Sequence, residues 1–152
     1  MMHSRWLKPV YDPDELTRTV MRVASAIDRL ERQPKFIAVR GVSGVSVGAA
    51  VSFYTKLPLV VIRKDDEQTH SSGAVQGLFG LRGNYIIVDD LVDTGATVRA
   101  IARALEDDDD NKDNANELVA IILYAPYDMQ SETTVRLPDG KLMDTIVVDR
   151  ED

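Results

Sequence analysis

With 152 residues, 44% hydrophobic and 28% charged, the chain has the make-up of one ordinary globular domain with enough apolar material for a real core. It has no cysteine, which excludes disulfides and thiolate metal sites, and no apolar run of membrane-spanning length. Its net charge of −7 is concentrated: residues 106–113, EDDDDNKD, carry −5 and leave −2 for the rest, so no basic stripe suits a nucleic acid.

Asp12-Pro13-Asp14-Glu15 reads as a helix start, with aspartate as the cap, proline at the first helical position and a glutamate that completes a capping box. Leu16, Val20, Val23, Ile27 and Leu30 follow at helical spacing, and Pro34 ends the pattern. KFIAV is then a short buried strand, RGVSG a loop, and VSVGAAVSFYT a helix packed closely through Gly48, Ala49 and Ala50. LPLVVI is the next strand. Residues 63–83 mix charge, serine and glycine without periodicity, and a loop of that length in a compact domain is functional or mobile.

YIIV is a strand, TGATVRAIARALE a helix, the acidic block a solvated connection, and ELVAIILY another strand. A Pro-Asp-Gly turn follows, and DTIVV is a candidate last strand. Strands alternate with helices and are almost continuously apolar. That pattern implies an α/β domain built on a mainly parallel, twisted sheet covered by helices on both faces. The first ten residues, MMHSRWLKPV, lack the apolar core of a secretory signal, so a cytoplasmic chain that touches no membrane is expected.

Ligands of such sheets bind beyond the carboxyl ends of the strands. Three junctions there are polar: Arg40-Gly41, Arg63-Lys64, and residues 89–97, DDLVDTGAT. In the third, a glycine and two threonines open a helix whose first N–H groups are free to bind an anion, which makes it a phosphate cradle. Plain capping by Asp93 or Thr94 would use the same residues. Asp89 and Asp90 side by side repel each other, an arrangement suited to sugar hydroxyls or a magnesium ion. Phosphate, sugar hydroxyls and a cation together describe a phosphorylated ribose. The glycines at 41, 44 and 48 do not make a dinucleotide fingerprint, and no nucleoside-triphosphate loop motif is present.

IIVDDLVDTGATVRAI resembles the phosphoribosyl-pyrophosphate (PRPP) motif of type I phosphoribosyltransferases, in the form closest to the xanthine-guanine and hypoxanthine enzymes. AVRGVSG is similar to that family's pyrophosphate loop, and LVVIRK with its long following loop to the family's mobile catalytic loop, so the likeness covers about residues 36–124. The resemblance implies one domain over 1–152 with its core at about 12–124, and a small, reduced hood from residues 1–11 and 125–152. It implies that Asp89 and Asp90 meet the ribose hydroxyls and Mg2+, and that Asp93, Thr94, Gly95, Ala96 and Thr97 wrap the 5′-phosphate. Arg40 and Gly41, with Arg63 and Lys64, would hold the pyrophosphate, and His70 would meet that leaving group. The implied reaction joins a nucleobase nitrogen to the ribose of PRPP and releases pyrophosphate, in a homodimer.

The base itself receives mixed signals. An acid at the position of Asp93 resembles the 6-oxopurine enzymes, where it manages the proton on N7 of the base. The lysine those enzymes carry after the following strand is absent from LYAPYD, where Tyr124 and Tyr127 are the nearby rings. RKDDEQTH resembles the orotate and adenine branches, whose base pockets draw on N-terminal residues, here Trp6 and Tyr11. A purine is the expected base; an orotate-type enzyme and a non-catalytic nucleotide-binding regulator are the alternatives.

Overall fold

The computed structural model describes residues 7–64, 74–78, 80–106 and 116–148. A short helix α1 (Lys8–Tyr11) runs into α2 (Pro13–Asp28), and Asp12 sits between them. The Asp12 carboxylate accepts from the N–H groups of Asp14 at 3.0 Å and Glu15 at 3.4 Å, as the sequence implies. The reciprocal half of the capping box does not form. The Asp12 N–H is taken by the Lys8 carbonyl at 2.9 Å, and Glu15 turns to Arg18 at 3.0 Å. Val20, Val23 and Ile27 are buried on the expected face. The helix ends six residues before Pro34, where the Gln33 amide donates to the carbonyls of Ile27 and Leu30.

Seven strands make one sheet: β1 (Phe36–Val39), β2 (Leu59–Ile62), β3 (Val75–Gln76), β4 (Asn84–Asp89), β5 (Glu117–Leu123), β6 (Thr134–Arg136) and β7 (Leu142–Val147), in the order β3-β2-β1-β4-β5-β7-β6. The five inner strands are parallel, and the two edge strands pair antiparallel with their neighbours. Successive residues of a strand face opposite sides. Ile37, Val39, Ile86 and Val88 accordingly pack with α2 and α3 (Gly41–Thr55), whereas Phe36, Ala38, Tyr85 and Ile87 pack with α4 (Ala96–Glu106). The expected double-sided α/β architecture is present.

Differences from the sequence reading are local. RGVSG is not a loop, because α3 begins at Gly41. Of the three small residues expected to bring α3 close to the sheet, Gly48 does so: a Cβ there would lie 2.6 Å from Cγ1 of Val39. Ala49 faces solvent. Part of the long 63–83 segment is strand β3, joined to β2 through the Arg63 N–H and the Ala74 carbonyl at 2.8 Å. Residues 134–147, assigned with the C-terminal hood, instead widen the sheet as β6 and β7 around the expected Pro-Asp-Gly turn.

Candidate active site

The carboxyl ends of β1, β2 and β4 open into one cleft of about 540 Å³. Arg40, Gly41, Val42 and Ser43 line it from the β1–α3 junction, and Lys64 from the end of β2. Residues Asp89 to Val98 contribute from the turn between β4 and α4, and Leu7, Val10 and Tyr11 from α1 close one side. Of the residues singled out in the sequence, Arg40, Gly41, Lys64, Asp89, Asp90, Asp93, Thr94, Gly95, Ala96 and Thr97 therefore meet around a single space. Arg63 is not among the lining residues, and His70 lies outside the described residues, as do Trp6 and residues 107–113 of the acidic block.

Asp89 ends β4 and is 8% exposed. Its Oδ1 accepts from the Ser43 hydroxyl at 3.1 Å and from the Asp90 N–H at 2.9 Å. Burial, and then the neighbouring Asp90 charge, push its carboxyl up to about 7, against the opposing pull of those two donors. Asp90 is half-buried, and its own Oδ1 accepts from the Leu91 N–H at 2.8 Å. Beyond the strand, the carbonyls of Asp89 and Asp90 accept from the N–H groups of Tyr124 and Ala125 at 3.1 and 2.9 Å. The carboxylate pair thus stands on paired backbone and lines the cleft.

The phosphate cradle is built by a sharp turn. Gly95 has φ +82°, and a Cβ there would lie 2.8 Å from Nη1 of Arg99 and 3.1 Å from Cγ1 of Val135. Glycine is required both by the left-handed backbone and by the space. Thr94 Oγ1 accepts from the Ala96 N–H at 3.2 Å and so caps α4. Asp93 is exposed on the cleft and has no side-chain hydrogen bond or ion pair among the described residues, and the bond to the Ala96 N–H at the helix start comes from Thr94. Arg99 donates to the Thr94 carbonyl at 2.9 Å and braces the turn from below.

The opposite wall is cationic. Gly41 has φ +82°, and a Cβ added there would meet Cε and Nζ of Lys64 at 3.5 and 3.6 Å, so the ammonium lies beside this backbone. Nε of Arg40 is buried without a hydrogen-bond partner, an unusual condition for a charged donor and one that an anion in the cleft would relieve. Sequence reasoning missed several supporting residues. Ser43 orients Asp89, the buried Tyr124 hydroxyl donates to the Ser43 carbonyl at 2.9 Å, and Gln130 and Arg99 hold the turn. Ser43, Tyr124 and Gln130 are single polar residues distant in sequence from what they touch, whereas Arg99 lies five residues from Thr94. Tyr124 is core, and Tyr127 is 60% exposed and is not among the residues lining the cleft.

A parallel sheet with its ligand cleft beyond the strand ends, walled by cations on one side and carboxylates on the other, defines an α/β domain for a small anionic ligand. Residues 10–136 match the phosphoribosyl transferase domain model, and the chain belongs to that family. It is 27% identical to an HGPRTase-like protein of Halobacterium salinarum over 93% of this chain and 81% of that one. It is also 27% identical to the orotate phosphoribosyltransferase of Malacoplasma penetrans, over 76% of this chain but only 58% of the relative's length. Among solved structures, an adenine phosphoribosyltransferase superposes with a TM-score of 0.61 at 14% identity, covering 91% of this chain and 81% of its own. The adenine enzyme of Thermoanaerobacter pseudethanolicus gives 0.58 at 20% identity over 76% and 70%. At these identities the structural likeness speaks for the fold.

Proposed function

We propose that the chain transfers the ribose 5-phosphate of PRPP to a ring nitrogen of a nucleobase, a purine by preference, forming a nucleoside 5′-monophosphate and releasing pyrophosphate. The observation that carries this reading is the meeting of three separate strand ends in one cleft, lined by Arg40 with its buried, partnerless Nε, by the carboxylate pair and by a cradle at the start of α4. The N–H groups around Thr94 to Thr97, with the two threonine hydroxyls, take the 5′-phosphate, the Ala96 N–H exchanging its bond to Thr94 Oγ1 for one to the ligand. Asp89 and Asp90 accept from the ribose hydroxyls. Arg40 and Lys64, joined on the family resemblance alone by Arg63 and His70, neutralise the departing pyrophosphate. Because the reaction's charge develops on that leaving group, fixed cations beside it lower the barrier without reorganising.

Asp93 has the exposure and the lack of partners that a proton-handling carboxylate at N7 of a purine needs. The base would lie beyond it against Leu7, Val10 and Tyr11, an apolar wall from the N-terminal segment. Mg2+ fits the pair Asp89 and Asp90. Among the described residues no cluster of three or more histidines and acids exists to cage a metal. Magnesium does not need one, since it keeps several waters and binds through one or two carboxylates plus substrate phosphates. When bound it would supply charge neutralisation at the ribose and pyrophosphate oxygens.

The described helices include none long and apolar enough to cross a membrane, and charged metabolites as substrates go with a cytoplasmic setting. The near-neutral charge outside the acidic block supports small-molecule partners rather than nucleic acid. A homodimer is supported by α3, whose outward residues Phe53 and Tyr54 are 79% and 57% exposed. The test is incubation with PRPP, Mg2+ and a panel of bases, following pyrophosphate release. Hypoxanthine, guanine or xanthine should be consumed. Turnover of orotate alone would move the chain to that branch, and PRPP binding with no turnover of any base would make it a regulator.

A further inference from the structure

We propose that Gln130 is the positioning residue of the PRPP site: its carboxamide locks the backbone turn Asp90–Val92 that aims the two carboxylates into the cleft. The proposal rests on the phosphoribosyltransferase reading and adds to it a residue outside the cleft. β4 ends at Asp89, and after the Asp90 carbonyl has accepted from the Ala125 N–H at 2.9 Å, Leu91 and Val92 have no strand on which to lean. Gln130 Nε2 donates to the Asp90 carbonyl and to the Ala125 carbonyl, both at 3.1 Å, while its Oε1 accepts from the Val92 N–H at 3.2 Å.

The Asp90 carbonyl, already paired with the Ala125 N–H, the Ala125 carbonyl and the Val92 N–H offer two acceptors and one donor that a primary carboxamide meets at once, and the same set fixes which end is nitrogen. Glutamate lacks the two donors, and asparagine is one methylene short. The residue is itself held at the end of a single 3-10 turn, Tyr127–Met129, through its N–H to the Tyr127 carbonyl at 3.2 Å.

The consequence reaches the carboxylates through an unbroken chain of bonds. The N–H groups of Asp90, Leu91 and Val92 go in succession to Asp89 Oδ1, Asp90 Oδ1 and Gln130 Oε1. Like charges on adjacent residues push apart, and the turn that carries them resists only as far as its backbone is tied. Two of its ties, at the Asp90 carbonyl and the Val92 N–H, come from this one side chain. The site is thereby set before ligand arrives, and PRPP binding need not order it.

The test compares wild type, Gln130→Met and Gln130→Glu by calorimetric titration with PRPP and Mg2+, with thermal melts in parallel. Both variants should remain folded and bind at least roughly tenfold more weakly, the loss typical of a removed outer-shell partner. KM for PRPP should rise while KM for the base stays near wild type. Binding within twofold of wild type in both variants, or a drop in melting temperature with unchanged affinity, would overturn the proposal. Should wild type bind no PRPP, the functional reading fails. Hydrogen exchange at the Val92 amide then decides the matter: faster exchange in Gln130→Met upholds the tie, and unchanged exchange removes it.

Discussion

Replacing Asp89 by asparagine should stabilise the empty protein while disabling it. Asparagine keeps the shape and keeps an Oδ1 to accept from Ser43 and from the Asp90 N–H, but removes a charge from a residue only 8% exposed. In the native protein that carboxyl is pushed up to about 7, first by burial and then by Asp90. A carboxyl raised on folding contributes stability that is complete below its unfolded pKa of about 4 and is lost as pH rises through about 7. Above neutrality the folded state therefore carries an uncompensated buried charge. A rise of this size is worth at most about 4 kcal/mol, at 1.36 kcal/mol per pH unit, and about 2–4 kcal/mol is expected at pH 8 once the neighbouring aspartate shares the strain. At roughly 2–4 °C per kcal/mol, the melting temperature of Asp89→Asn should exceed wild type by about 4–16 °C at pH 8. Thermal melts in EDTA, without ligand, from pH 4 to 8.5 should show that gain fall towards zero at the acid end. A pH-independent difference, or a loss of stability at pH 8, would refute the electrostatic account of this site.

Asp93→Asn should slow transfer to a purine by about 10²-fold or more, the usual range for a proton-handling group, while PRPP affinity changes little; equal, small effects on both would remove Asp93 from the chemistry. Gly95→Ala combines strain at φ +82° with a contact 2.8 Å from Arg99, and should cost about 1–3 kcal/mol in urea unfolding together with most of the PRPP affinity. Gly48→Ala puts a methyl 2.6 Å from Val39 and should cost about 1–3 kcal/mol, with a smaller effect on PRPP affinity than Gly95→Ala because the clash lies in the α3–β1 contact. Arg40→Met removes the partnerless cation and should raise KM for PRPP about tenfold or more in initial-rate assays, leaving KM for the base near wild type.

Most of the sheet was legible because its strands are apolar on both faces and each is followed by punctuation: FIAV by Arg-Gly, LVVI by Arg-Lys, YIIVD by the acidic turn. The Asp12 cap and the Leu16-to-Leu30 stripe announced α2 for equally local reasons. The start of α3 was hidden because Gly41-Val42-Ser43-Gly44 has poor helix propensity and is held helical by packing under β1 and β4. Strands β3 and β6, of two and three residues, exist through pairing with β2 and β7 and carry no pattern of their own. The first shell of the cleft lay in contiguous motifs and could be read. Its supports could not: Ser43 meets Asp89 across 46 residues and Gln130 meets Val92 across 38, and a lone serine or glutamine has no periodicity to betray it.

The central claim is that the three strand ends form one PRPP site, and a crystal structure of the chain with PRPP and Mg2+ tests it most directly. The account predicts the 5′-phosphate on the N–H groups of residues 94–97, the ribose hydroxyls and the metal at Asp89 and Asp90, and the pyrophosphate between Arg40 and Lys64. A ligand whose phosphates lie elsewhere, with Arg40 Nε still unpartnered and Asp89 and Asp90 untouched, would contradict it.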